Sequence, residues 1–288
     1  MNLINNSKTI DSNTSLFGLL GNPVSHSLGH LIHNQAFFEK NINALYLPFK
    51  ITNIKKGIQA IKELGIKGVS ITIPFKQSVI PYLDEIDDLA LKIGAVNTII
   101  NKKGKLYGYN TDCNGAIKSL KKISTIKDKK ICIIGAGGAA RAIAFGIKKE
   151  NGKILIVNRT REKGEILANQ IKGELISILD IKTKSPDIII NTTSIGMTPD
   201  IYQTPLKKDF LSKKMVVMDI VYNPLHTRFL KNAAKKGCTI INGLSMFVNQ
   251  GAAQFELFTG IKAPVDLMKK IVFTTVFKSR IMKTCKNV

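Results

Sequence analysis

The amino-acid sequence predicts an α/β protein built from two domains. Its 288 residues exceed the usual length of a single domain. Short apolar runs alternate with amphipathic stretches of helical length, as at residues 54–64 followed by 68–73, and this alternation is typical of parallel or mixed sheets covered by helices. An apolar run at 131–134 leads into the glycine-rich turn 135–138, which indicates that one domain is Rossmann-like.

The N-terminal half supplies the elements of the first predicted domain. An apolar run that ends in Gly21-Asn22-Pro23 indicates a strand entering a turn. Gly65 and Pro74 each end a preceding element, because glycine commonly stops a helix and proline closes a strand. The predicted elements are strands at 16–21, 45–49 and 68–73 and helices at 28–40 and 54–64.

The second predicted domain begins near Asp112 and continues the alternation of strands and helices. Its strands are short and rich in isoleucine and valine, which is typical of a buried parallel sheet. The predicted strands are 131–134, 154–157, 187–191, 215–220 and 239–241, and the predicted helices run from the glycine turn to Lys148 and over 246–259. Such a series predicts a Rossmann-like domain.

The chain carries a formal net charge of +23 at pH 7. A charge of this size is compatible with a protein that binds nucleic acid or a membrane surface. The lysines are scattered in pairs such as Lys55-Lys56 and Lys148-Lys149, without a zinc finger, an aromatic nucleic-acid motif or a long basic run. We therefore expect solvated basic faces and no nucleic-acid partner. The positive field would attract an anionic substrate and a phosphorylated cofactor.

The cysteines, histidines and apolar runs favour a cytoplasmic protein without a metal. The four cysteines have no paired spacing, so neither a disulfide framework nor a zinc site is expected. His26, His30 and His33 share helical spacing, but no acidic or cysteine ligand lies nearby in the sequence, so we expect no metal there. Residues 1–15 are polar and lack an apolar signal core, and no apolar run is long enough to cross a bilayer.

The glycine-rich turn fits a dinucleotide. Gly135 lets the chain turn tightly off the strand, and Gly137 lets the backbone approach a pyrophosphate. The helix that begins near Gly138 and Ala139 points its N–H groups and the positive end of its dipole at that anion. Ordinary strand–helix junctions also contain glycine turns, but the apolar strand before this one and the helix after it favour cofactor binding.

The end of the next strand favours NADP over NAD. NAD enzymes tend to carry an acidic residue here for the ribose hydroxyls, whereas this chain has Asn158-Arg159-Thr160. An arginine can pair with a 2′-phosphate and stack on the adjacent ring. The alternative is a solvated loop arginine in a basic protein. Because neither Asp nor Glu stands at this strand end, we predict NADP as the cofactor.

Four segments, taken in order, carry a resemblance to a known family. They are Thr72-Ile73-Pro74-Phe75-Lys76, Gly94-Ala95-Val96-Asn97-Thr98, Tyr109-Asn110-Thr111-Asp112 and the glycine turn that continues to Arg141. This order of motifs resembles shikimate dehydrogenase, and the resemblance covers most of the chain. It implies a reversible, NADPH-dependent reduction of 3-dehydroshikimate to shikimate in the chorismate route to aromatic amino acids.

The resemblance implies that Lys76 and Asp112 lie at the carbonyl that is reduced. Taken singly, Lys76 fits a surface lysine and Asp112 fits a helix N-cap. Hydride addition to a ketone develops an alkoxide, which must be stabilised and protonated. A lysine ammonium does both, and an adjacent carboxylate holds and orients it. The sequence does not decide which of the two groups moves the proton.

The same resemblance assigns further residues to the substrate and the cofactor. Thr72 and Asn97 would offer neutral donors and acceptors to a polyol, and Gln250 would do the same from a returning helix. Tyr222 matches a family tyrosine near the substrate. Gln254 matches less closely, and its alternative is a glutamine on the helix surface. On the cofactor side the matching residues are Asn158, Arg159, Thr160, Thr192, Ser194, Met197 and Gly243.

The substrate-carboxylate motif departs from the family pattern. The family has Ser-x-Ser-Pro at the start of its first helix, and the two hydroxyls hold the carboxylate. Here Ser27 matches the first serine, while Gly29 and His30 replace the second serine and the proline. Backbone N–H groups at the helix start, and a protonated His30, are expected to take part in holding the anion. Ser70 stands where many members have asparagine.

The resemblance also implies the domain organisation. The substrate domain would comprise residues 1–111, completed by C-terminal helices at 244–288, and an NADP-binding domain would span 112–243. Two rival functions stay open: an NAD-dependent quinate/shikimate dehydrogenase and a catalytically silent NADP-binding paralogue. Arg159 argues against the first, and retention of Lys76, Asn97 and Asp112 argues against the second. Either a monomer or a homodimer fits.

Overall fold

Two six-stranded sheets with flanking helices make up the chain. The computed structural model describes residues 10–25 and 27–284, so His26, Cys285 and the last residues of the predicted C-terminal segment lie outside the described residues. The architecture confirms the predicted α/β class, with one mixed sheet followed by one parallel sheet.

The first sheet is mixed. Its strands are β1 (Ser15–Gly21), β2 (Ala44–Lys50), β3 (Gly68–Ile71), β4 (Glu85–Ile86), β5 (Thr98–Lys102) and β6 (Lys105–Tyr109), in the order β2-β1-β3-β5-β6-β4. β1 is parallel to β2 and β3, whereas β5 is antiparallel to both β3 and β6. The helices of this half are α1 (Gly29–Glu39), α2 (Ile54–Glu63) and α3 (Asp88–Ile93).

These pairings bring four segments of the chain to one edge of the first sheet. Because β1, β3 and β6 run in the same direction, the residues after Gly21, Ile71 and Tyr109 leave the sheet at the same edge. β5 runs the other way, so Asn97, which precedes it, lies at that edge as well. This edge therefore carries the motifs at 22–27, 72–76, 94–98 and 110–112.

The second sheet is fully parallel and has the Rossmann strand order. Its strands are β7 (Lys130–Ile134), β8 (Lys153–Val157), β9 (Glu174–Leu175), β10 (Ile188–Asn191), β11 (Val216–Asp219) and β12 (Thr239–Ile241), in the order β9-β8-β7-β10-β11-β12. The order reverses between β7 and β10, and ligands of such sheets bind in the crevice at the carboxyl ends of these strands. The flanking helices are α5 (Gly138–Lys149), α6 (Arg161–Ile171), α7 (Ile181–Lys184) and α8 (Arg228–Lys235).

Two helices connect the sheets. α4 (Asp112–Lys121) leads from the first sheet to the second, and α9 (Gly243–Thr259) leads back to α10 (Val265–Thr284), which packs on α1 and α9. α4 and α9 approach closely at Gly115, where an added Cβ atom would lie 3.0 Å from the Met246 carbonyl oxygen. A larger side chain at this position would push the helices apart.

Several predicted boundaries were wrong for local reasons. β3 ends at Ile71, two residues before the predicted end, and Thr72 begins the following turn. α9 begins three residues before residue 246, because the Asn242 side chain caps it by accepting a hydrogen bond from Leu244 N–H. Asp112 is the first residue of α4 and not its N-cap, which is Thr111.

A buried histidine lies beside the first sheet. The ring of His33, on α1, stacks on that of Tyr46 with centroids 4.5 Å apart, and only 1% of His33 is exposed. Burial lowers the pKa of His33 to about 4, against the smaller opposing effect of the neighbouring Gln254 side chain. His33 is therefore neutral in the folded protein at pH values at which an unfolded chain would protonate it.

This histidine should make the protein less stable in mild acid. Between pH 6.5 and about 4 the unfolded chain takes up a proton that folded His33 refuses. Its contribution to the free energy of unfolding is complete above pH 6.5 and declines by about 3 kcal/mol toward pH 4. Urea unfolding of wild type and His33→Phe at pH 7 and 4.5 should show a flatter pH dependence in the variant. Exposed His226→Phe is the control, and equal slopes in wild type and His33→Phe would contradict the expectation.

Candidate active site

The carboxyl edges of the two sheets meet at Lys76 and Gly138. An added Cβ atom on Gly138 would lie 3.0 Å from Lys76 Cβ and 3.2 Å from Lys76 Cδ. The aliphatic stem of the lysine thus packs directly on the first residue of α5, at the end of the glycine turn. The backbone of Lys76 is held as well, because its carbonyl oxygen accepts a hydrogen bond from Val96 N–H at 2.7 Å.

Lys76 and Asp112 form a hydrogen-bonded ion pair. Lys76 Nζ donates to Asp112 Oδ2 at 2.6 Å, and the two side chains are 18% and 6% exposed. The lysine belongs to the turn after β3 and the aspartate to the first turn of α4. A carboxylate in a first helical turn is favoured by the helix dipole, which keeps Asp112 suited to holding a cation.

Asn110 fixes the start of α4 and was not recognised from the sequence as a site residue. Its Oδ1 accepts hydrogen bonds from Asp112 N–H at 3.1 Å and Cys113 N–H at 3.3 Å, and its Nδ2 donates to the Ala95 carbonyl oxygen at 2.8 Å. The Asn–x–Asp spacing at a helix start is the sequence signal that identifies such a cap. Asn110 therefore ties the Asp112 helix to the segment that precedes β5.

Ser27 and Tyr222 come together from the two halves of the chain. Tyr222, which follows β11, lies beside the Ser27 side chain and the Leu28 backbone, and burial raises its pKa against the opposing effect of these two neighbours. Ser27 Oγ also accepts a hydrogen bond from Gly29 N–H at 3.2 Å. The Tyr222 ring packs on Phe247 of α9, with centroids 4.2 Å apart.

The glycine at position 29 lies in a crowded place. A Cβ atom added there would lie 3.3 Å from Ser27 Oγ and 3.5 Å from the Tyr46 hydroxyl. A serine would fit only if Ser27 shifted by a few tenths of an ångström. The neighbouring His30 is half-buried, its buried Nδ1 has no hydrogen-bond partner among residues 10–25 and 27–284, and desolvation lowers its pKa. Desolvation therefore opposes protonation of His30 in the absence of an anion, and its part in holding the carboxylate stays a prediction.

Three further predicted substrate residues line the same region. Thr72 begins the turn after β3, where its methyl group packs close to Gly21. Asn97 is almost fully buried, and its Nδ2 donates to Thr111 Oγ1 at 2.9 Å. Gln250 lies on α9 beside Gly115 of α4, and its Nε2 donates to the Phe247 carbonyl oxygen at 3.0 Å.

The glycine turn has the shape that a pyrophosphate needs. Gly135 has a φ of 119°, which side chains rarely allow, and an added Cβ would lie 2.5 Å from Thr192 Oγ1. Thr192 in turn donates to the Ile134 carbonyl oxygen at 2.7 Å, joining the ends of β10 and β7. Gly137 is exposed, and an added Cβ there would meet nothing within 4 Å. Gly137 therefore leaves open space beside the start of α5, whereas Gly138 packs on Lys76.

The segment after β8, the strand next to β7 in the sheet, carries an exposed cation. Arg159 and Thr160 are exposed, and Asn158 Nδ2 donates to the Thr160 carbonyl oxygen at 2.7 Å. In the described part of the chain no ion pair involves Arg159, whereas Arg161 pairs with Glu165 at 2.8 Å.

Ser194, Met197 and Gly243 follow other strands of the parallel sheet. Ser194 is exposed, and its carbonyl oxygen accepts a hydrogen bond from Met197 N–H at 3.0 Å in the turn after β10. Gly243, at the start of α9, packs directly against the Ile220 backbone, so glycine is required there by close packing alone. The structure brings all three to the carboxyl edge of the sheet.

Arg141 ends the motif that begins with the glycine turn, and the sequence predicted no role for it. It is 9% exposed, and its Nε donates to the Ile93 carbonyl oxygen at 2.6 Å. The guanidinium also lies against Gly94, where an added Cβ would be 2.7 Å away. Arg141 therefore caps the end of α3 and joins the cofactor-side helix α5 to the first sheet.

The described residues contain neither a cluster of metal ligands nor a helix that could span a membrane. Within 10–25 and 27–284, no group of three or more His, Cys, Asp or Glu side chains is arranged to hold a metal ion. Over the same residues no helix has the length and apolar character needed to cross a membrane. Cys113, Cys132 and Cys238 are buried and free.

A mixed sheet and a Rossmann sheet that meet at a lysine–carboxylate pair and a glycine turn define a two-domain, dinucleotide-dependent oxidoreductase. Residues 19–99 match the shikimate dehydrogenase substrate binding domain, 118–224 the shikimate/quinate 5-dehydrogenase family and 243–273 the shikimate 5′-dehydrogenase C-terminal domain. The chain belongs to the shikimate dehydrogenase family.

Known relatives cover nearly the whole chain. The NADP(+) shikimate dehydrogenase of Methanocaldococcus jannaschii is 45% identical over 93% of this chain and 100% of that protein. A crystal structure of a shikimate dehydrogenase in complex with NADP+ has a TM-score of 0.88 and 43% identity, covering 93% of this chain and 98% of that one. The Thermus thermophilus enzyme in complex with NADP(H) and shikimate has a TM-score of 0.83 and 30% identity, covering 90% and 99%.

Proposed function

We propose that this protein is an NADP-dependent shikimate dehydrogenase, which interconverts 3-dehydroshikimate and shikimate for aromatic amino-acid biosynthesis. The observation that carries the proposal is the position of Lys76. Its ammonium is bonded to Asp112, and its stem packs on Gly138 at the start of the cofactor helix. A proton donor thus lies beside the place where a nicotinamide cofactor would bind, and relatives about 45% identical are NADP(+) shikimate dehydrogenases.

The residues around the glycine turn fit NADP. The open space at Gly137 and the N-terminus of α5 suit a pyrophosphate. We assign Gly135, Gly137, Gly138 and Ala139 to this contact, Asn158, Arg159 and Thr160 to the 2′-phosphate and its ribose, and Thr192, Ser194, Met197 and Gly243 to the remaining cofactor edge. When bound, the cofactor supplies or accepts the hydride.

Lys76 would move the proton at the reacting oxygen. During reduction the carbonyl oxygen gains negative charge, and the ammonium stabilises it and donates a proton. In the oxidation of shikimate, the neutral amine accepts the hydroxyl proton. Asp112 accepts the Lys76 hydrogen bond at 2.6 Å and so keeps the amine directed at one position. Because the Lys76 stem packs on the glycine turn, the proton donor would lie close to a cofactor held there.

The remaining polar residues at the edge of the first sheet would hold the substrate. We assign Ser27 and Tyr222, which lie beside each other, to the carboxylate. Thr72, Asn97 and Gln250 would bind the ring hydroxyls, because their hydroxyl and amide groups both donate and accept hydrogen bonds. Such a site is selective, because a wrong substrate leaves its buried polar groups without hydrogen-bond partners.

The two rival functions have less support. The silent paralogue would have no need of the Lys76–Asp112 pair, which is formed here at 2.6 Å. The NAD-dependent quinate/shikimate dehydrogenase is disfavoured because Arg159 is exposed and outside the ion pairs of the described residues. No observation in the site favours either rival.

Domain limits, partners and location complete the proposal. Residues 1–111 with 244–288 would form the substrate domain and 112–243 the NADP domain, which the division of strands between two sheets supports. The partner is a small molecule, and we infer no nucleic-acid ligand and a monomer or homodimer. Free, buried thiols at Cys113, Cys132 and Cys238 support a reducing compartment, the cytoplasm.

A spectrophotometric assay tests the function. Purified protein with shikimate and NADP+ should produce NADPH absorbance at 340 nm, and replacing NADP+ by NAD+ or shikimate by quinate should lower kcat/KM at least about tenfold. Equal or better rates with quinate and NAD+ would support the rival dehydrogenase. Absence of turnover with all four combinations would support the silent paralogue.

Loss of the Ser27 hydroxyl should weaken substrate binding. Ser27→Ala removes one proposed carboxylate donor, and Gly29 supplies no hydroxyl to replace it. We expect KM for shikimate to rise about three- to tenfold, the equivalent of one hydrogen bond, with kcat and KM for NADP+ nearly unchanged. Steady-state kinetics measures this, with the exposed Ser25→Ala as the matched control. An unchanged KM for shikimate in Ser27→Ala would place the carboxylate elsewhere.

A further inference from the structure

Gln254 is the centre of a buried hydrogen-bond network that joins α9 to the first sheet. Only 3% of this residue is exposed, so the helix-surface interpretation was wrong. Its Oε1 accepts from Ser70 Oγ at 2.9 Å, and its Nε2 donates to Thr98 Oγ1 at 3.0 Å and to the Asn97 carbonyl oxygen at 3.1 Å. Three polar groups on β3 and at the start of β5 therefore depend on one side chain.

The network has a fixed direction from Gln254 to Asn97. Because Thr98 Oγ1 accepts from Gln254, its own hydrogen is directed to Asn97 Oδ1, at 2.8 Å. Asn97 Oδ1 also accepts from Thr111 N–H at 2.8 Å. A backbone N–H cannot accept a hydrogen bond, so Oδ1 is the end of the amide that faces these two groups.

The opposite end of the Asn97 amide is consequently a donor. Nδ2 carries two hydrogens and gives one to Thr111 Oγ1 at 2.9 Å. Within the described residues the second hydrogen makes no hydrogen bond, so it is the one that a ligand at the edge of the sheet could accept. Asn97 is only 1% exposed, so water cannot replace its protein partners, and an amide turned the wrong way would leave buried groups unpaired.

We propose that Gln254 is a positioning residue that, through Thr98, holds Asn97 with its Nδ2 group toward the substrate. The inference rests on the proposed function, in which Asn97 binds a ring hydroxyl. Asn97 then donates to a hydroxyl oxygen of the substrate in both directions of the reaction. Gln254 and Thr98 act on KM by setting the orientation of the Asn97 amide.

Two variants break the network at different points. Gln254→Leu removes all three hydrogen bonds of the amide, the one accepted from Ser70 and the two donated. Thr98→Val removes only the hydroxyl that relays to Asn97, with almost no change in volume. Each is expected to raise KM for shikimate about three- to tenfold, while kcat and KM for NADP+ stay within about twofold. The double variant should have a KM no higher than that of the worse single variant, because both act through Asn97.

A stability control separates positioning from general damage. Ile61 is fully buried on α2 in another part of the core, and Ile61→Val should lower the melting temperature without changing KM for shikimate. If Gln254 were only structural, Gln254→Leu and Thr98→Val would, like Ile61→Val, lower the melting temperature without changing KM for shikimate. Thr98→Val keeps the test decisive if Gln254→Leu fails to fold.

Asn97→Ala identifies the cause of a negative result. If this variant raises KM for shikimate and both network variants leave it unchanged, the positioning role of Gln254 is overturned. An unchanged KM in Asn97→Ala would overturn it as well, together with the substrate role of Asn97. If the wild-type protein does not turn over shikimate, the proposed function itself is overturned. The spectrophotometric assay with shikimate and NADP+ shows this before any variant is measured.

Discussion

Lys76→Ala is expected to lower kcat for shikimate oxidation by about two to four orders of magnitude, the usual contribution of a general acid–base group. The lysine is the group that would accept the hydroxyl proton, and Asp112, its partner at 2.6 Å, is held in the first turn of α4. The affinity for NADP+ should change by less than about threefold, because the assigned cofactor contacts come from other residues. Stopped-flow and steady-state kinetics measure kcat, and calorimetry measures NADP+ binding.

Controls for this variant must account for the carboxylate left behind. Without Lys76 the Asp112 side chain, 6% exposed, would lose its cation, so unfolding curves should accompany the kinetics. Lys121 is also on α4, and Lys121→Ala breaks its exposed ion pair with Glu150. This variant should keep wild-type kcat. A Lys76→Ala protein that is folded and retains kcat near that of Lys121→Ala would refute the catalytic assignment.

Arg159→Ala should weaken NADP+ binding more than tenfold and leave NAD+ binding almost unchanged. A hydrogen bond to a charged group contributes about 1.5–3 kcal/mol, and only NADP+ carries the 2′-phosphate that the guanidinium would contact. Arg159 is exposed at the carboxyl end of β8, the strand beside the glycine turn. Titration of both cofactors by calorimetry gives the two dissociation constants directly.

The neighbouring arginine provides a matched control. Arg161 is two residues away and equally charged, but its guanidinium is paired with Glu165 at 2.8 Å. Arg161→Ala should therefore change NADP+ affinity by less than about threefold, because this charge is already engaged. Equal weakening of NADP+ and NAD+ by Arg159→Ala would mean that Arg159 does not recognise the 2′-phosphate.

Apolar periodicity predicted the parallel sheet better than the mixed one. Strands of the second sheet are buried apolar runs, and the predicted strands at 131–134 and 239–241 agree with β7 and β12 within one residue. The β5–β6 hairpin was not predicted, because Lys103-Gly104 forms its turn and the flanking residues are polar. Both residues have positive φ, and Asn101 Oδ1 accepts from Gly104 N–H at 2.8 Å, so glycine beside an Asx-type contact was the available signal.

The motifs of the site were predictable, whereas the residues that hold them in place were not. Lys76 and Asp112 are separated by 35 residues, and they meet only because β3 and β6 run in the same direction. Arg141 and Gln254 are polar types that usually face solvent. Their burial depends on carbonyl and hydroxyl groups from distant segments, and a single sequence contains no sign of those partners.

The close packing of α4 on α9 also determines how the two halves can move. Within residues 27–284 the chain passes from the mixed sheet to the parallel sheet through α4 and returns through α9, and the two helices touch at Gly115. Because both connections run through this helix pair, a hinge rotation of one sheet relative to the other would pass through α4 and α9. Asp112 and Gln250 lie on these helices and would stay in place during such a rotation. Lys76 belongs to the edge of the first sheet and Gly138 to that of the second, so such a rotation would separate the proton donor from the cofactor turn.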